Sequence, residues 1–176
     1  EDHRQTDREA INTLVAIDQK TGEQTVLVSG SDFYSTPRLS PDGKRLLTAS
    51  DDGTARLWDM TTGEQLLNLS GHAGWVWNAV YSPDGMRIAT LSGSEAIIWD
   101  ASTGERLMTL SGHMNSVYGV AYSQDSTWLA TGGDDRKIKV WDAASGELAA
   151  KLAGHGCRAE ERRVGKEGRS RGSAGH

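Results

Sequence analysis

Gly71-His72-Ala73-Gly74-Trp75-Val76-Trp77-Asn78-Ala79-Val80-Tyr81-Ser82-Pro83-Asp84-Gly85-Met86-Arg87-Ile88-Ala89-Thr90-Leu91-Ser92-Gly93-Ser94-Glu95-Ala96-Ile97-Ile98-Trp99-Asp100 carries the reading of this 176-residue chain. Val76 to Ser82 is rich in apolar residues, a Pro-Asp-Gly turn follows, and Met86 to Leu91, Ala96 to Asp100 and Leu107 to Leu110 complete a set of four short strands. Both ends of the run recur. Gly-His stands at 71–72, 112–113 and 154–155, and Trp-Asp at 58–59, 99–100 and 141–142, with steps of 41 and 42 residues in both series. Two dipeptides advancing at one period mark an internal repeat.

The turns have mechanical reasons for their composition. In Ser82-Pro83-Asp84-Gly85, repeated at 40–43, proline presets φ, aspartate bonds its own backbone, and glycine accepts the positive φ that closes the hairpin. Thr-Gly-Glu at 21–23, 62–64 and 103–105, and Ser-Gly-Glu at 145–147, join the third and fourth strands. A four-stranded unit of this size cannot bury both faces alone. Stacking such units radially gives a propeller.

Over residues 10 to 155 the chain resembles the WD-repeat (WD40) family of β-propellers. The resemblance implies a bracing tetrad in each blade: His from Gly-His, Ser or Thr on the second strand, Asp in the following turn, and Trp from Trp-Asp. The third unit supplies His113, Thr131, Asp135 and Trp141. The second supplies His72, Thr90 and Trp99, but its shorter turn lacks the Asp. The first supplies Thr48, Asp52 and Trp58, with Gly30-Ser31 where Gly-His is expected. One complete network is therefore expected, with the other two blades less rigid at that end. Pro37, inside the first blade's innermost strand, cannot donate a ladder hydrogen bond. Together with 14–18 and 25–29, that stretch also resembles the propellers accompanying prolyl-oligopeptidase-type peptidases.

Strand counting predicts an all-β, incomplete propeller of about 14 strands. It divides into a polar lead (1–10), a half-blade giving two outer strands (11–29), three blades (30–70, 71–111 and 112–153) and a basic tail rich in Gly, Ser and Arg (154–176). The tail reads as disordered and resembles translated vector or adapter sequence, so the chain is expected to be a truncated piece of a longer protein. An open arc exposes apolar faces at its terminal blades, which favours self-association.

Composition excludes several classes. Residues 1–155 hold 13 Lys/Arg against 21 Asp/Glu, so capture of nucleic acid is not expected. No stretch reaches the roughly 18 apolar residues of a membrane span, and the opening Glu1-Asp2-His3-Arg4-Gln5 lacks the basic-then-apolar pattern of a secretory signal, so neither membrane insertion nor secretion is expected. The single cysteine, Cys157, suits a reducing compartment, and a cytoplasmic location is expected. No metal or cofactor is expected: the histidines at 72, 113 and 155 fall one per repeat, too far apart to share an ion. Asp51-Asp52 and Asp134-Asp135 could be read as acid/base pairs, but their setting is that of turns between strands. Gly168-x-Ser170-x-Gly172 matches a nucleophile elbow without the strand before it or the acid after it. The chain reads as a non-enzyme.

The functional signal is tryptophan, six residues against one phenylalanine. Trp58, Trp99 and Trp141 belong to the repeat. Trp75 and Trp77 follow His72 by three and five residues, where the family's chain enters the innermost strand at its partner-facing end. Ser116 and Tyr118 match them in the third blade, and Phe33 and Ser35 in the first. Asp51 and Asp134, just before the tetrad aspartates, should project on the same rim. Aromatic anchors beside acids suit a basic or Arg-bearing peptide, and the bland alternative turns one of Trp75 and Trp77 into interblade packing. Trp128 reads as packing. The expected function, as the resemblance implies, is a peptide- or protein-binding scaffold. The alternatives are a non-catalytic propeller fragment of a larger serine peptidase or WD-repeat kinase, and a truncated piece without autonomous function.

Overall fold

The computed structural model describes residues 12–17, 21–22, 24–30 and 34–153, which form fourteen strands in four antiparallel sheets. The first sheet pairs β1 (Asn12–Ile17) with β2 (Gln24–Gly30). Three four-stranded meanders follow. The first blade is β3 (Tyr34–Leu39), β4 (Arg45–Ser50), β5 (Ala55–Asp59) and β6 (Gln65–Leu69). The second is β7 (Asn78–Tyr81), β8 (Arg87–Ser92), β9 (Glu95–Asp100) and β10 (Arg106–Leu110). The third is β11 (Val117–Tyr122), β12 (Trp128–Gly133), β13 (Lys137–Asp142) and β14 (Leu148–Ala153). The first strands of the blades lie side by side, β3 against β7 and β7 against β11, as in a radial array. The lead and the tail lie outside the described residues.

The core sits between blades rather than within them. One cluster joins Leu47, Ala49, Leu57 and Leu69 of the first blade to Val76, Ala79, Ile88 and Trp99 of the second. A second joins Ala89, Leu91, Ile98 and Leu110 to Val117, Leu129 and Trp141 of the third. β4 and β8 are therefore buried on both faces apart from their first residue, and read as near-continuous apolar runs, whereas β12 is buried only at alternate positions.

Two local departures have physical causes. β7 begins at Asn78 rather than Val76, because the Val76 amide donates across the junction to the Ser50 carbonyl (3.1 Å). Pro37 sits on β3, an edge strand, at a register shift between Ser35 and Arg38; the ladder slips where the donor is missing. Tight approach fixes one glycine: a Cβ on Gly133 would lie 2.4 Å from the Ser116 carbonyl oxygen.

Candidate functional site

The loop from β6 to β7 is held on either side of Trp75. The Ser92 hydroxyl donates to the Gly74 carbonyl (3.1 Å), and the Trp77 amide donates to the Leu91 carbonyl (3.0 Å). With Val76 turned into the interblade core, extended alternation sends Trp75 and Trp77 to the other side. Trp75 is 56% exposed and Trp77 half-buried. Their rings meet edge to face, centroids 5.1 Å apart at 83°, and Trp77 leans on Tyr118, 6.3 Å away at 59°. Edge-to-face contact sets the positive ring edge of one partner against the negative face of the other, which fixes orientation without burying the cluster. Tyr118, the second residue of β11, is 50% exposed, and the Asn78 side-chain Nδ2 donates to its carbonyl (3.2 Å).

The structure thus brings Trp75, Trp77 and Tyr118 into one group spanning two blades. Asp51 and Asp134 are exposed on turns at the same end. The first turn touches the Trp75 loop, since a Cβ on Gly53 would lie 3.3 Å from the Gly74 carbonyl oxygen. The second is tied to the Tyr118 strand by the Asp134 amide, which donates to the Ser116 carbonyl (2.9 Å). Phe33 lies outside the described residues. Met114, 78% exposed beside His113, is a rim side chain that sequence reasoning missed; its position immediately after Gly-His was the available signal. Trp128, expected in packing, is instead 43% exposed on the outer face of the third blade, where no further described sheet covers it.

Beneath the rim, the third blade's tetrad is closed. The Trp141 indole donates to the Thr131 hydroxyl (2.8 Å), which bonds His113 Nε2 (2.9 Å), and His113 Nδ1 reaches the Asp135 carboxylate (2.9 Å). The direction of these bonds follows from the chemistry. Thr131 accepts from an obligate donor and gives its one hydrogen to Nε2, leaving Nδ1–H to donate to Asp135. Burial would raise the Asp135 pKa. The His113 hydrogen bond and the amides of Lys137 and Met114 outweigh it and hold the carboxyl below the ordinary range.

The second blade repeats the first two bonds, Trp99 to Thr90 (2.8 Å) and Thr90 to His72 Nε2 (2.8 Å), but His72 Nδ1 donates to the Gly53 carbonyl (3.0 Å) of the first blade. A backbone oxygen of a neighbouring blade stands where the aspartate is missing. Burial lowers the His72 pKa, the Gly53 bond opposes this, and the charge of Arg106 adds to the lowering. In the first blade Trp58 donates to Thr48 (2.9 Å), and the Thr48 hydroxyl turns to the Arg56 carbonyl (3.5 Å). Asp52 is drawn into its own turn by Thr54 and the Arg56 guanidinium. The histidines and aspartates of these networks are thus bracing groups, each occupied within the fold. Among the described residues no group of three or more His, Cys, Asp or Glu side chains converges in a way that could hold a metal ion.

At the opposite end, Ser40, Asp42, Arg45, Tyr81 and Asp84 line a cleft of about 260 Å³. Its charged groups are already engaged: Asp42 accepts from the Ser40 hydroxyl (2.6 Å), Asp84 from that of Ser82 (2.5 Å), and Arg45 donates to the Ala101 carbonyl (3.2 Å). Burial pushes the Tyr81 hydroxyl up to about 12, so it stays protonated.

Four-stranded meanders packed face to face, with first strands adjacent and a Trp-Thr-His relay bracing two of the blades, define a β-propeller of repeated blades. The family model for the WD domain, G-beta repeat, matches residues 36–59, 63–100 and 104–142, more than half of the chain. The chain belongs to the WD-repeat family. Human WD repeat-containing protein 86 is 58% identical over 38 residues, covering 22% of this chain and 10% of that protein. Rat WD repeat-containing protein 1 is 38% identical over 68 residues, 37% of this chain and 11% of that protein. The chain thus aligns with only about a tenth of these relatives' length. A chain in the crystal structure of the mitotic checkpoint complex shares the fold at a TM-score of 0.75 and 22% identity, covering 82% of this chain and 45% of that one.

Proposed function

We propose that this chain acts as a protein-interaction scaffold, as WD-repeat proteins generally do, through the rim formed by Trp75, Trp77 and Tyr118, taking a basic, Arg-bearing segment of a partner protein in the cytoplasm, without catalysis of its own. The observation that carries the reading is an exposed indole held by a second indole and a tyrosine across a blade junction. A large apolar ring left in water at a fixed angle gives contact area at little further cost in conformational entropy. Asp51 and Asp134, exposed on the turns at the same end, supply negative charge around the rings. A guanidinium laid on Trp75 would gain about 0.5–1 kcal/mol at such an exposed site, and more once water is excluded. Fluorescence polarisation of a labelled library of Arg-containing peptides tests this. Binding by the wild type that falls at least tenfold in Trp75→Ala, and weakens with salt, supports the reading. Equal binding by the two proteins rejects it.

A further inference from the structure

The third blade buries a cation that its own turn does not neutralise. On the face that carries the bracing threonine, register sets Arg56 opposite Thr48 in the first blade, Ile97 opposite Thr90 in the second and Lys139 opposite Thr131 in the third. Arg56 is paired with Asp52, four residues before it. Ile97 sits in an apolar cluster and needs no counterion. Lys139 has Asp135 at the same spacing, but His113 and the amides of Lys137 and Met114 already hold that carboxylate. Lys139 is only 3% exposed, and among the described residues its ammonium has neither a hydrogen-bond acceptor nor an ion pair. It rests 5.7 Å from the centroid of the Trp141 ring and against Gly112, where an added Cβ would lie 2.9 Å from Nζ. The matching Gly71 of the second blade has nothing within 4 Å of such a Cβ. Two further lysines share the face: Lys151, directly opposite Lys139 on β14, and Lys137, two residues earlier on β13. Burial lowers the Lys139 pKa, Asp135 opposes this, and the charges of Lys151 and Lys137 add to the lowering.

We infer that Lys139, Lys137 and Lys151 form a binding site for one oxyanion of the phosphate class, entered beside Gly112. A charge taken out of water is costly unless a partner compensates it, and like charges directly opposite on paired strands repel. A single anion among the three ammonium groups relieves both. Gly112 is exposed, so the Lys139 ammonium lies directly beneath backbone that faces water, and no side chain at that residue closes the approach. Three lysines and one aspartate leave two positive charges uncompensated here. A phosphate group near neutral pH, at about −1.5 to −2, matches them better than a carboxylate does. Lysine binds such a group as a point charge with three donors. Inorganic phosphate and a phosphorylated side chain of a bound protein segment offer the same group. The site is separate from the Trp75 rim and does not rest on what that rim binds.

Titrating the nitrogen-15-labelled full chain with inorganic phosphate at about pH 7, with sodium chloride exchanged out so that ionic strength stays constant, tests the site. The amide resonances of Gly112 and Lys139 should move along one saturating curve with its half-point at about 1–10 mM. Lys139→Met, which keeps the length of the side chain and drops the charge, should raise the half-point by about tenfold or more. Lys151→Ala, at an exposed position, should raise it by about threefold, and it decides the matter should the buried variant fail to fold. A short phosphoserine peptide and its unphosphorylated parent separate the two sources. Saturation by the phosphopeptide at about a tenth of the inorganic half-point, with the parent silent, assigns the site to a modified protein segment; no gain assigns it to the free anion. Resonances that stay still, or drift with concentration without saturating, overturn the inference. A curve that neither lysine substitution alters also overturns it, because the anion then lies elsewhere.

Discussion

His72 of the second blade donates its Nδ1 hydrogen to the carbonyl of Gly53 in the first, 3.0 Å away, and so turns an element that braces one blade into a link between two. Replacing His72 by Ala removes both this bond and the one to Thr90, leaving the Gly53 carbonyl without this partner and Thr90 with only Trp99 and Ile97. The expected loss is about 1–3 kcal/mol. Chemical denaturation should show it as a lowered midpoint with an unchanged slope, since the folded state stays compact.

The same histidine sets a pH dependence. Burial lowers its proton affinity in the folded state below the ordinary value of 6.5. A base lowered in this way stabilises the fold when neutral. The contribution is complete above the unfolded value and is lost as pH falls through the lowered folded value. The melting temperature of the wild type should therefore decline as the buffer is taken from about pH 7.5 to pH 5.5, and His72→Gln should flatten that decline.

Gly133 and Gly74 form a matched pair for backbone packing. A Cβ on Gly133 collides with the Ser116 carbonyl oxygen at 2.4 Å, whereas one on Gly74 meets nothing within 4 Å. Gly133→Ala should cost about 1–3 kcal/mol by forcing β11 and β12 apart. Gly74→Ala should stay within about 0.5 kcal/mol of the wild type. Parallel urea titrations compare them directly.

The interblade cores predict a hierarchy of truncations. Ile88 and Leu129 are fully buried between blades, and cutting either to Ala should cost about 2–5 kcal/mol. Leu66 and Leu107, exposed on the outer strands β6 and β10, should lose little when cut in the same way. Melting temperatures of the four variants test the ranking.

Much of this architecture was legible because a repeat prints the same structural instruction several times. Two dipeptides at one period located three blades, and the shortened turn at Ser92-Gly93-Ser94-Glu95 revealed that the second blade lacks its aspartate. What replaces that carboxylate was not legible, because a backbone carbonyl leaves no trace in residue identity; Gly53 could be found only once the blades were packed. Trp128 misled for a related reason. On a central strand an indole ordinarily packs, but it packs only if another sheet covers that face, and among the described residues a sheet lies against only one face of β12. The register shift at Pro37 was foreseeable from the missing amide. The early donation of the Val76 amide to Ser50, which delays β7 to Asn78, was not, since it depends on the neighbouring blade. For the rim, spacing after His72 located Trp75 and Trp77 at the start of the inner strand, while their edge-to-face contact and the approach of Tyr118 required the junction between two blades.

The most direct test of the account is the melting temperature of Trp75→Ala measured beside that of Ile88→Ala. If Trp75 belongs to a contact surface rather than to the core, its variant should melt within about 2 °C of the wild type, while Ile88→Ala falls by roughly 4 °C or more. A fall for Trp75→Ala comparable with that of Ile88→Ala would contradict the account, because the indole would then be holding the blades together rather than standing ready for a partner.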